Sequence, residues 1–295
     1  MIIDLIYDTI KLKELKGWIK LKFKGLMCIV NVALICFTNF CNMGASALFG
    51  NTHYNLGKKI IEKSDKELSK AEEEAFLSGM IYADIGRFKF DKDTGVNSDS
   101  DKFVEEMERL AKTSEEKWFA YGFKIHVFQD KKTKQFLKEV FESGYSTYSE
   151  YATYCGVLDS YFSQKSGILC NELLDKFNFK QVISNFDIKD LSKMANVPED
   201  QIESLTKSVL EKYSDYTNEN HLCLYSDLIK SVYKSFGFEI SLDEINEQAG
   251  NLVGAFIIIS ELIRNKQEIP EKLSSKIETK SDDMVELCRT KFKFI

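Results

Sequence analysis

A histidine and an aspartate stand four residues apart in the segment Gly122-Phe-Lys-Ile-His126-Val-Phe-Gln-Asp130. His126 is one of only three histidines in the 295 residues, so its placement is informative. Side chains at positions i and i+4 of a helix share a face, and this imidazole and carboxylate can therefore converge on one point. Gly122 leaves that face bare one turn earlier, which would let a metal ion or a second helix approach closely. The segment predicts either a metal site or a buried hydrogen-bonded pair.

Further side chains along the chain could join this pair. His53 follows Thr52, Asp84 ends the segment Gly79-Met-Ile-Tyr-Ala-Asp84, and Cys155 with Asp159 forms a second i, i+4 pair. Imidazole, carboxylate and thiolate are the ligands that zinc takes in proteins. Each residue also has a simpler interpretation. His53 could be a surface residue, Asp84 could end its helix, and Cys155 could be a small buried side chain or half of a disulfide.

The elements that carry these residues are predicted to be helices. Long segments rich in Glu, Lys, Leu and Ala have helical periodicity, and the chain contains only two prolines. Thr113 and Glu116 match a capping box, which predicts the start of the helix that carries His126 and Asp130. Composition and periodicity together predict an all-α protein, built as a multi-helix bundle.

Periodicity also predicts where the individual elements begin and end. Phe88 to Ser100 is predicted to be a loop, because its Asp, Asn and Gly residues favour turns. Lys134 to Glu142 is predicted to be a helix of its own. The other helices predicted around the candidate residues lie at about 55–63, 66–84, 101–112, 148–164, 222–236 and 272–288.

Residues 1–47 differ from the rest and have the pattern of a signal peptide. An apolar run over Gly25 to Cys41 follows several lysines and precedes Ala45-Ser46-Ala47, the small-x-small pattern that signal peptidase cuts. Cleavage would leave a single all-helical domain over 48–295. The basic region is long for a signal peptide, which suggests that the true start lies further along the chain. An uncut apolar run would instead anchor the protein in a membrane.

Charge is unevenly distributed along the chain. Six lysines against three acidic residues give residues 1–47 a net charge of +3, so the remainder carries −9 where the whole chain carries −6. Such an acidic protein has no overall electrostatic attraction to nucleic acid or anionic lipid. Four of the seven cysteines follow residue 47, and their spacing identifies no disulfide pairing.

Four motifs occur in a fixed order: Thr52-His53, the segment that ends at Asp84, the Gly-xxx-His-xxx-Asp helix, and the pair Cys155 and Asp159. In this order they resemble the zinc-dependent phospholipase C and S1/P1 nuclease superfamily. The resemblance implies an exported all-helical enzyme that holds between one and three zinc ions, with 48–164 as the metal-site core. It implies that His53, Asp84, His126 and Asp130 bind zinc. Asp84 would also be the catalytic residue that orients or deprotonates the attacking water.

The resemblance also implies a set of outer ligands, and here the chain departs from the family pattern. The α-amino group of Leu48 would bind the same ion as His53. The family has a histidine between Asp84 and His126, which Asp99 or Asp101 could replace here, and another soon after Asp130 that has no counterpart. Its HxxxE pair is replaced by a thiol and a carboxylate. The residues implied as outer ligands are Leu48, Asp99, Cys155 and Asp159.

The activity implied by the resemblance is zinc-dependent hydrolysis of a phosphodiester. Zinc ions acidify a bound water and neutralise the charge that builds on a phosphodiester during attack. Phospholipid, reached by peripheral membrane contact, is favoured over nucleic acid because the sequence lacks an evident basic and aromatic strand-binding surface. The altered ligands support an alternative, in which a family member without catalysis acts as a secreted or surface binding or structural protein.

Overall fold

The computed structural model describes residues 50–84, 90–143, 148–166, 225–246 and 269–292, with single residues between 200 and 207. These residues contain helices and no strand, which confirms the all-α class. The predicted signal peptide and Leu48 lie outside the described residues. The helices, numbered in chain order, are α1 (Gly50–Glu62), α2 (Lys70–Tyr82), α3 (Phe90–Thr94), α4 (Asp101–Leu110), α5 (Ser114–Phe141), α6 (Tyr148–Ser166), α7 (Ser226–Ser235) and α8 (Glu271–Phe292).

Helix α1 begins at Gly50, earlier than the predicted start at Asn55, so His53 lies in a helical turn. The backbone N–H of Thr52 donates to Oδ1 of Asp159 at 2.9 Å, and the Thr52 hydroxyl donates to the same oxygen at 3.3 Å. A carboxylate at the amino end of a helix satisfies a free backbone N–H and interacts favourably with the helix dipole. This cap comes from α6, which is why local sequence does not predict it.

Helix α5 is longer than predicted. Lys134 to Glu142 is its last part and not a separate helix, because α5 runs unbroken to Phe141. The buried Thr133 hydroxyl donates to the backbone carbonyl of Gln129 at 3.1 Å, so this polar side chain is satisfied within the helix. The amino end is as predicted: the Thr113 side chain accepts from the N–H of Glu116, and the Glu116 carboxylate accepts from the N–H of Thr113.

The predicted loop over Phe88 to Ser100 contains the short helix α3. Gly95, with a φ of 70°, follows it in the left-handed conformation that glycine adopts without strain. The buried Asp91 carboxylate accepts from the N–H and hydroxyl of Ser98 and from the Tyr233 hydroxyl at 2.8 Å. Asp91 therefore ties this segment to α7.

Helices α2 and α5 cross in backbone contact at a pair of glycines. A Cβ added to Gly122 would lie 2.0 Å from the carbonyl oxygen of Phe76, and one added to Gly79 would lie 2.0 Å from the carbonyl oxygen of Phe119. Both distances are far below van der Waals contact. The bare face predicted at Gly122 thus admits a second helix, and it brings the end of α2 next to His126.

Helix α8 packs against α1 and α5 and completes the surroundings of the candidate site. Ile277, Val285 and Cys288 are buried on its inner face. At its edge, Lys59 of α1 donates to Glu278 at 2.6 Å. Within the described part of the chain, no helix is long and apolar enough to cross a membrane.

Candidate metal centre

Three helices bring the predicted core residues to one place. His53 lies on the first turns of α1, Asp84 follows the carboxyl end of α2, and His126 and Asp130 share one face of α5. Their exposed fractions are 0% for both histidines, 1% for Asp84 and 3% for Asp130. Buried charges and imidazoles require polar partners, so these four side chains must satisfy one another or a bound ion.

His126 has one ring nitrogen committed to the backbone. Its Nδ1 lies 2.7 Å from the carbonyl oxygen of Met80, which can only accept, so Nδ1 carries a proton and donates. The other nitrogen, Nε2, lies 3.4 Å from Oδ1 of Asp84 and 3.2 Å from Oδ2 of Asp130. A neutral Nε2 would direct its lone pair towards two carboxylates. The geometry therefore calls for a cation at Nε2, either a proton or a metal ion.

His53 repeats this arrangement. Its Nδ1 lies 2.7 Å from Oε1 of Gln129, and its Nε2 lies 3.1 Å from Oδ1 of Asp130. The His53 and His126 rings stack with their centroids 3.7 Å apart, so both Nε2 atoms face the same carboxylate from neighbouring positions. Asp130 bridges the two histidines through its two oxygens.

The electrostatics of the two histidines differ. Burial lowers the pKa of His126, but the negative charges of Asp130 and Asp84 outweigh burial and raise that pKa to about 10. Burial, together with the charge on His126, lowers the pKa of His53 below its ordinary value of 6.5. His126 is therefore the more basic of the two rings, and without a metal ion it carries the positive charge at the site.

Three of these side chains have donor atoms close enough together to share one metal ion. Ligand atoms of His53, Asp84 and His126 all lie within 4.8 Å of one another. In a tetrahedral shell with bonds of about 2.1 Å, neighbouring ligand atoms are about 3.4 Å apart. The distance from His126 Nε2 to Asp84 Oδ1 is 3.4 Å, and the two oxygens of Asp130 lie 3.1 Å from His53 Nε2 and 3.2 Å from His126 Nε2. In the part of the chain that the structure describes, this is the one group of three histidine, cysteine or acidic side chains that could share an ion.

The predicted outer ligands lie in other surroundings. The Asp159 carboxylate accepts from Thr52, and Cys155, one turn earlier on α6, is a fully buried cysteine. Asp99 is partly exposed, and its backbone N–H donates to the Asn97 side chain at 3.0 Å. Since Leu48 lies outside the described residues, a role for its α-amino group stays a prediction. None of the other three belongs to the group described above.

Sequence reasoning missed two partners of the histidines. The carbonyl of Met80 is a backbone group, so no residue type could indicate it. Gln129 lies three residues after His126 and therefore on nearly the same face of α5. A buried amide beside a histidine and an aspartate on one helix face was a usable signal.

Comparisons of the chain with protein-family models, with curated proteins and with solved structures found no match.

Proposed function

We propose that the chain is a zinc protein of the phospholipase C and S1/P1 nuclease type, and that His53, Asp84, His126 and Asp130 hold the zinc. The observation that carries the proposal is the orientation of the two histidines. Each has Nδ1 directed at an oxygen acceptor and Nε2 directed at a carboxylate. Metal-binding histidines commonly show this pattern, with one nitrogen fixed by a neighbouring acceptor and the other on the ion.

We further propose that the bound zinc serves hydrolysis of a phosphodiester. Zinc would supply a water acidified to near neutral pH and positive charge for the developing phosphorane. Asp84 reaches the site from the end of α2 and is 3.4 Å from Nε2 of His126, a position from which its carboxylate could orient that water. Phospholipid is the proposed substrate class, since the acidic chain does not favour nucleic acid.

A second candidate function has an observation of its own. Both histidines are fully buried, and four protein side chains converge on the site. Structural zinc sites are closed in this way, whereas catalytic sites keep one position open for water or substrate. The alternative is a zinc-stabilised family member without catalysis that acts as a secreted or surface binding protein.

Hydrolysis by the zinc-loaded chain separates the two functions. The assay uses phosphatidylcholine vesicles and a chromogenic phosphodiester, with zinc content measured on the same samples. The hydrolase proposal expects zinc-dependent turnover that falls at least about 100-fold in Asp84→Asn. Asp101→Asn is the matched control, because Asp101 is exposed and pairs with Lys131 at 2.7 Å on the surface. Full zinc content with no turnover of either substrate would favour the structural alternative.

Zinc affinity is expected to rise with pH. Because the pKa of His126 is raised to about 10, zinc must displace a proton from Nε2 at any pH below that value. His53 releases none at neutral pH, since its pKa is lowered. The apparent affinity should increase about tenfold per pH unit between pH 6.5 and 8.5. Competition with a chelator of known affinity measures this slope, and an affinity that stays constant over this range would contradict the assignment of His126.

Export is proposed from residues 1–47, with phospholipid met at a membrane surface. The exported chain should begin at Leu48, because signal peptidase would cut after Ala47. N-terminal sequencing of protein secreted from an expressing cell tests this start. A retained Met1 would instead favour a membrane anchor in the apolar run.

A further inference from the structure

The nitrogen of His53 that faces away from the carboxylates has its own buried partner. Nδ1 of His53 lies 2.7 Å from Oε1 of Gln129, and both side chains have an exposed fraction of 0%. A neutral imidazole that gives Nε2 to a metal must carry its proton on Nδ1. An acceptor at Nδ1 therefore favours the metal-binding tautomer, whereas a donor there would favour the tautomer with Nε2–H.

A glutamine amide can present either its oxygen or its nitrogen, so its orientation matters. Nε2 of Gln129 is directed at Sγ of Cys288, 3.9 Å away, a distance at which sulfur acts as a weak acceptor. Cys288 is a free cysteine and is fully buried. With the amide nitrogen turned to the sulfur, the amide oxygen is left facing the His53 ring.

Contacts outside the site hold Cys288 in this position. It lies on α8, whose buried Ile277 and Val285 pack into the core. Lys59, on α1 with His53, donates to Glu278 at 2.6 Å and to Asp282 at 3.2 Å. The same two helices thus meet at an ion-pair cluster and, through Gln129, at His53. The placement of α8 and the orientation of the amide are linked.

We propose that Gln129 is a positioning residue that fixes the tautomer of His53, and that Cys288 on the carboxyl-terminal helix fixes the orientation of Gln129. The proposal rests on the proposed zinc site. It adds that zinc affinity depends on α8, although none of the four zinc ligands lies on that helix. Gln129 acts through His53 and does not itself contact the ion.

The first test is the tautomer of His53, read from long-range nitrogen–proton NMR correlations of the wild-type chain, with and without zinc. The expected ring carries a proton on Nδ1 in both states, because the Gln129 oxygen that faces Nδ1 can only accept. A metal-free ring that holds a proton on Nε2, which faces Asp130, and none on Nδ1 would overturn the proposal, because it would mean that Gln129 presents its nitrogen. This arm decides the role of Gln129 even if the wild-type chain binds no zinc and the proposed function fails.

The second test compares zinc affinities of four variants. Gln129→Met keeps the volume but removes the acceptor, and it should weaken zinc binding 10- to 100-fold and abolish the single tautomer. Gln129→Glu keeps an acceptor oxygen and should retain both the zinc affinity and the single tautomer of His53. Cys288→Ala should weaken binding less, by up to about tenfold. Gln135→Met is the matched control, since Gln135 lies exposed on the same helix, where its amide donates to the Glu139 carboxylate at 2.9 Å.

A merely structural role would give a different pattern. Gln129→Met would then lower the stability of the metal-free chain while the folded fraction bound zinc as tightly as wild type, with Nδ1 still protonated. That result would overturn the proposal. If Gln129→Met does not fold, the zinc affinities of Gln129→Glu and Cys288→Ala are compared with that of wild type. An equal loss of affinity in both variants would contradict the proposal, because the acceptor oxygen of Gln129→Glu should preserve zinc binding.

Discussion

Replacing Gly122 with alanine is expected to destabilise the protein by about 2 kcal/mol or more. The added methyl would lie 2.0 Å from the carbonyl oxygen of Phe76, a backbone atom of α2 that cannot rotate away. Relief requires the two helices to separate, and overpacking of this kind usually costs about 1–3 kcal/mol and sometimes more. Alanine gains up to about 1 kcal/mol in helix propensity, which offsets only part of that cost. Chemical denaturation measures the change.

The substitution should also disturb the candidate metal centre. Separation of α2 from α5 would lengthen the 2.7 Å contact between His126 and the Met80 carbonyl, which lies one turn before Asp84. Gly79→Ala should have the same effect, because its methyl would clash with the carbonyl oxygen of Phe119. Gly57→Ala is the control, since its methyl would meet only the side chains of Met80, Leu77 and Phe76, at 3.1 Å or more. Equal stabilities for Gly57→Ala and Gly122→Ala would contradict the close crossing.

Replacing His126 with leucine is expected to cost about 3 kcal/mol in the metal-free protein at neutral pH. The protonated His126 ring lies between Asp84 and Asp130, and leucine removes that positive charge from two buried carboxylates. Breaking a buried ion pair by removing one partner typically costs about 3–5 kcal/mol. Denaturation in the presence of a chelator measures the loss.

The sign of the pH dependence follows from the raised pKa of His126. A raised pKa in the folded state contributes stability that is fully present below pH 6.5 and is lost as the pH rises through about 10. The cost of His126→Leu should therefore shrink above pH 9. Lys131→Met is the control, because it breaks the exposed ion pair with Asp101 and should change stability little. A loss for His126→Leu no larger than that for Lys131→Met would argue against a charged His126.

Part of this architecture could be predicted from the sequence. Helical periodicity predicts the all-α class, and the capping residues place the start of α5. Periodicity does not predict that α5 continues past Lys134, because the run from Lys131 to Gln135 is polar. Three of these residues are exposed, and the buried Thr133 donates to the Gln129 carbonyl within the helix. It also does not predict the start of α1, whose first turn is capped by Asp159 from a helix far along the chain.

The residues of the candidate site could be predicted from the sequence, but the contacts that orient them could not. The pair of His126 and Asp130 follows from helical spacing alone. The order of motifs suggested that His53 and Asp84 join it, and the structure brings all four together. The contacts that orient the rings depend on packing between helices. A single sequence does not show that Gly122 contacts α2, or that Gln129 reaches both His53 and Cys288.

Zinc content of the purified protein decides whether His53, Asp84, His126 and Asp130 hold a metal ion. The chain is stripped with a chelator, dialysed against micromolar zinc and analysed for bound metal, in parallel with His126→Ala. We expect at least one zinc per wild-type chain, and an affinity at least about 100-fold weaker in the variant, because His126 supplies the nitrogen that faces both carboxylates. A folded wild-type chain that takes up no zinc would contradict the proposed zinc site.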